Sequence, residues 1–164
     1  MPSFAARPHR WSHREAVFAE HDMLRTELAT LDRGIGDPRP SALLRAELLA
    51  ARKRVYETLH PSSRHGGAPG RAGGGKAPRC ERTSPPVRSH AADAALRTGL
   101  SERSIRQLVQ IAEGIPASLR DLIRDTPLAR RQRLLLEVAR ARLDPEEQRR
   151  RVGAALGRRS LAGT

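Results

Sequence analysis

Residues 91–110, AADAALRTGLSERSIRQLVQ, decide the reading of this chain. A small residue, Ala95, falls where two helices would cross closely. Four positions later Gly99 falls in a turn, where positive φ is cheap only for glycine. Ser101 follows as an N-cap whose hydroxyl can accept free amide hydrogens, and Glu102 suits the positive end of the helix dipole. Leu100, Ile105 and Leu108 then supply apolar contacts to hold the second helix against the first. This is the layout of a helix–turn–helix, in which the second helix enters the DNA major groove.

That second helix, expected over about 101–113, carries two opposed stripes. Ile105, Leu108, Val109 and Ala112 recur at i, i+3, i+4 and i+7 and are expected to face inward. Arg103, Arg106, Gln107 and Gln110 repeat the same spacing on the other side. Arginine can grip guanine with both ends of its fork, and glutamine can pair twice with adenine. With Ser101, these four are the expected base-reading residues. An amphipathic helix with a merely solvated polar face would share the stripe alone, so the glycine turn and the charge of the chain carry the choice.

That charge is large. The 164 residues include 31 Lys and Arg against 18 Asp and Glu, a formal charge of +13. Such a surplus favours a polyanionic partner, nucleic acid or an anionic membrane surface. No run of about 18 apolar residues is present to span a bilayer. The start, MPSFAARPHRW, is broken by Pro8 and lacks an apolar signal core, so a cytoplasmic, nucleoid-associated location is expected. Aromatic residues make up 2% of the chain, which removes the stacking platforms of a single-strand binder.

Outward from the reader, the pattern is helical throughout. Ser12 and Glu15 form a capping box, and Val17, Leu24, Leu28 and Leu31 continue an apolar face. The stretch Gly34-Ile-Gly-Asp-Pro-Arg-Pro40 is expected to stop that helix. Ser41 caps a second helix with Leu44, Leu48, Val55 and Leu59 on one face, ending at His60-Pro61. Residues 12–60 therefore read as a helical hairpin. Residues 61–88 hold Gly66-Gly67, Gly73-Gly74-Gly75 and Pro85-Pro86 and read as a flexible basic linker. Arg64, Arg71, Lys76 and Arg79 within it are the expected phosphate contacts; a solvated tether that touches nothing is the alternative. Residues 89–157 complete a helical domain. There Leu119, Leu122 and Ile123 face in, one longer helix starts at Thr126-Pro127 with Leu128, Leu135, Val138 and Ala139, and a last helix opens at Asp144-Pro145 with Val152, Ala155 and Leu156 as its apolar positions. The expected class is all-α.

Signals for catalysis are weak. Gly70 to Lys76, GRAGGGK, fits most of a phosphate-binding loop, but no apolar strand precedes it, Pro78 blocks the following helix, and Ala77 stands where a magnesium-binding hydroxyl is needed. The six histidines lack metal-ligand spacing, and Cys80 is a lone thiol that supports neither a disulfide framework nor a cysteine zinc site. Glu146 and Glu147 sit in the first turn of a helix, where the dipole explains them. No enzyme, cofactor or metal site is expected.

The segments Ala19–Arg25 (AEHDMLR), Arg52–Gly67 (RKRVYETLHPSSRHGG) and Ala91–Arg106 (AADAALRTGLSERSIR) resemble ParB-like proteins, and more narrowly the ParB-like nuclease-domain proteins of bacterial plasmids, prophages and chromosomes. The resemblance runs from about residue 19 to about residue 150. It implies an all-helical middle domain, with Ser101, Arg103, Arg106 and Gln107 at a DNA surface in partition or transcriptional control. The family's nucleotide-binding N-terminal domain, with its arginine-containing phosphate motif, is not matched, so nucleotide hydrolysis and nuclease activity are not carried over. The stretch Asp32–Pro40 also interrupts a helical region that is more continuous in the family. The expected partner is double-stranded DNA, with a possible homodimer formed through the helices after residue 127. A rival expectation is a non-enzymatic, helical protein-interaction module, a truncated remnant that adheres to nucleic acid without reading it.

Overall fold

The computed structural model describes residues 13–63 and 87–157, with the side chain of His13 excluded. Among the described residues the chain is all-α: seven helices and no strand. They are α1 (His13–Gly36), α2 (Ala42–Leu59), α3 (His90–Thr98), α4 (Glu102–Gly114), α5 (Ala117–Arg124), α6 (Gln132–Arg140) and α7 (Pro145–Ala155). Short 3-10 turns at Pro61–Ser63 and Pro127–Arg130 complete the set.

Local chemistry sets most of the boundaries. The side chains of Ser41, Ser89 and Ser101 accept from the amides of Leu44, Ala92 and Ser104 at the starts of α2, α3 and α4. Asp144 accepts from both Glu146 and Glu147 at the start of α7, with Pro145 at the first helical position where its missing N–H costs nothing. The expected box at Ser12 lies outside the described residues.

Two boundaries differ from the sequence reading. Helix α1 runs through Gly34 and Ile35 to Gly36, so the glycines do not stop it. Ile35 is buried there, and a Cβ at Gly34 would already touch the Leu48 side chain at 3.4 Å. Pro38 and Pro40 bring the stop. The single longer helix expected from Thr126 is two elements, a 3-10 turn and α6. Thr126 does not cap it; its hydroxyl donates backwards to the Ile123 carbonyl at 2.7 Å.

Helices α2 and α4 form the centre. α4 packs on α2, α3 and α6; α1 lies against α2 and α3, and α7 against α6. Leu43, Ala46 and Leu49 of the hairpin join Ile105, Leu108, Ile111, Ile123, Leu135, Val138 and Val152 in one continuous core. The hairpin and the reader segment therefore share a core rather than folding apart. Because α2 is covered on more than one side, its buried stripe is Leu43, Ala46, Leu49, Arg52, Val55 and Tyr56. Of the expected face, Val55 is buried, Leu48 and Leu59 are half-buried, and Leu44 is exposed. Leu122 of α5 likewise faces outward, whereas Leu119 and Ile123 are buried.

A buried charge cluster fixes how α1, α2 and α3 meet. Arg52 is 0% exposed and donates from Nε to Asp32 of α1 at 2.5 Å and from Nη2 to Asp93 of α3 at 2.6 Å. Burial works against its charge, yet the hydrogen bonds to the two carboxylates outweigh that and hold its pKa above the usual value. The guanidinium also lies 5.7 Å from the centre of the Tyr56 ring, and Tyr56 donates to the Arg88 carbonyl at 2.9 Å, anchoring the segment that leads into α3.

At the far side, Gly114 permits a close crossing. A Cβ there would sit 2.7 Å from the Ala139 carbonyl oxygen and 2.9 Å from its Cβ, so only glycine lets α4 and α6 approach this closely. Gln148 of α7, 1% exposed, donates to the Gly114 carbonyl at 2.6 Å and to that of Val138 at 3.2 Å. One side chain thus ties the end of α4 to the end of α6, where the Val138 carbonyl also accepts the Ala141 N–H at 3.1 Å.

Candidate nucleic-acid interface

The turn between α3 and α4 has the expected geometry. Gly99 adopts φ +72° and its N–H donates to the Ala95 carbonyl at 3.0 Å. On α3, Ala91 and Ala94 are buried, and Ala95 is half-buried against the core. Ser101 caps α4 and its Oγ lies 2.9 Å from that of Ser104. It remains exposed.

Burial on α4 separates cleanly. Ile105, Leu108, Val109, Ile111 and Ala112 are buried. Arg103, Arg106 and Gln110 are exposed and Gln107 is half-buried. The inward stripe is wider than expected by Ile111, since α4 has helices on several sides. No neighbouring segment among the described residues covers the polar face. Arg106 is held one turn back by Glu102, Nη2 to Oε2 at 2.5 Å, so its fork must leave an exposed carboxylate to reach a base. Arg103 has no ion-pair partner among the described residues.

The polar residues do not form a single cluster. Arg106 and Gln110 line an open cleft of about 700 Å³, whereas Ser101, Arg103 and Gln107 lie outside it. Ile105, Val109 and Glu113 of α4 line it as well. The rest of the lining comes from Lys53 and Glu57 of α2, Arg140 of α6, Arg142 of the following turn, and Ser89 and His90 at the start of α3. Lys53 pairs with Glu113 of α4 at 2.8 Å. His90 is buried, and its Nε2 has no partner. Burial, then repulsion from Arg52 and Lys53, lowers its pKa to about 4, partly opposed by Asp93 and Asp32, so the ring is neutral at neutral pH.

Lys53, Arg140 and Arg142 were not singled out in the sequence. Each is an ordinary exposed-type cation by its neighbours, and packing alone brings them beside Arg106. The expected phosphate contacts Arg64, Arg71, Lys76 and Arg79 lie outside the described residues, as do Cys80 and the GRAGGGK segment. Among the described residues, no group of His, Cys, Asp and Glu could hold a metal ion, and no helix is long and apolar enough to cross a membrane.

No protein-family model matches the chain, and neither does any curated protein or solved structure.

Proposed function

We propose that this chain is a double-stranded DNA-binding protein that reads sequence through α4. The observation that carries it is the split of α4 into a locked apolar face and an open face bearing Arg103, Arg106 and Gln110, directly after a glycine turn at positive φ. A helix that reads base edges needs rigid support behind it and forked or amide side chains in front. The formal charge of +13 supplies the sequence-independent attraction to the duplex. The ParB-like resemblance points the same way and would place the protein in partition or transcriptional control, but DNA reading by α4 does not depend on that kinship.

Selection of bound fragments from a random duplex pool, at stated salt, should recover a preferred site. Arg106→Ala should then weaken that site by about 1–3 kcal/mol and leave binding to random duplex nearly unchanged. Equal losses on both would leave only non-specific adhesion and refute base reading by α4.

A further inference from the structure

We infer that Arg140 and Arg142, at and just after the end of α6, grip the DNA backbone beside the base-reading helix. This rests on the DNA-binding reading above and names a contact that the sequence did not place. Both residues are exposed and line the same cleft as Arg106 and Gln110. Neither has an ion-pair partner among the described residues. That distinguishes them from Arg120, Arg124, Arg133, Arg150 and Arg151 of the C-terminal helices, each of which is held by a carboxylate.

The α2 and α6 contributions to the cleft are electrically unlike. On the α2 side Lys53 is neutralised by Glu113, and Glu57 adds a half-buried carboxylate. The α6 side presents two uncompensated guanidinium groups. A phosphate strand beside α4 is therefore repelled by the α2 residues and drawn to those of α6 and the turn after it. With base edges facing Arg106 and Gln110, the flanking strand meets Arg140 and Arg142, which line the same cleft. Phosphate contacts of this kind set register and orientation and carry no sequence information.

The test is a salt titration of affinity for a mixed-sequence duplex, with wild type measured first. The double variant Arg140→Ala/Arg142→Ala should flatten the plot of log affinity against log salt by about 1.8, from about 0.9 per lost phosphate contact. Its preference for a selected site over random duplex should be unchanged. Arg140→Lys/Arg142→Lys, which keeps both charges, should retain the wild-type slope. An unchanged slope in the alanine variant, with helicity intact by circular dichroism, overturns the inference while leaving DNA binding standing; so does an equal loss in the lysine variant. Wild type that binds no duplex even at low salt refutes the DNA-binding reading itself, and the backbone grip with it.

Discussion

Replacing Arg52 by methionine keeps most of the side chain's length but removes the charge that two carboxylates share. In the folded protein the guanidinium is fully buried and donates at 2.5 Å and 2.6 Å to Asp32 and Asp93. Their side chains are 15% and 18% exposed, so neither carboxylate can regain a full shell of water once its partner is gone. Breaking a buried pair by deleting one member costs about 3–5 kcal/mol. Two carboxylates lose their partner here, which puts Arg52→Met at the upper end of that range. Domains are stable by about 5–15 kcal/mol, so the variant should be marginal. Urea unfolding followed by circular dichroism should show a midpoint well below wild type with an unchanged slope. The triple variant Arg52→Met/Asp32→Asn/Asp93→Asn should recover a large part of the loss, because it leaves no unpaired charge behind. The orphaned Nη1 of Arg52 disappears in both variants. A loss below about 1 kcal/mol in the single variant, the value of an exposed pair, would refute the claim that this cluster holds α1, α2 and α3 together.

Two further outcomes follow from the same packing. Gly114→Ala should cost about 1–3 kcal/mol, because the new Cβ meets the Ala139 backbone at 2.7 Å and backbone cannot swing aside; a thermal midpoint equal to or above wild type would contradict this. His90 has its folded pKa lowered from 6.5 to about 4, so folding favours the neutral ring while the unfolded chain takes up a proton near 6.5. The stabilisation is complete above the unfolded value and is lost as pH falls from 6.5 towards 4. At about 1.4 kcal/mol per pKa unit the loss reaches about 3.5 kcal/mol at most. Urea unfolding of wild type and His90→Leu across that interval should show the leucine variant with the flatter pH dependence; parallel curves would show that His90 does not carry it.

What could be read from the residues alone was the chemistry of near neighbours. Serine and aspartate caps, the proline at the head of α7, the glycine turn and the inward stripe of α4 each depend on groups within about one or two helical turns. For that reason the all-α class and the open polar face of α4 were legible. Packing between distant segments decided the rest. Nothing beside Arg52 in sequence marks it as buried; α1 and α3 close over it with one carboxylate each. Nothing in its near neighbours marks Gly114 as a close crossing until α6 packs against it, or Gln148 as a donor to the Gly114 and Val138 carbonyls. The buried face of α2 escaped the apolar period because a helix covered on several sides buries alanine and arginine along with leucine. Tertiary structure likewise set Arg140 and Arg142 beside Arg106, since sequence separation says nothing about which helix ends meet.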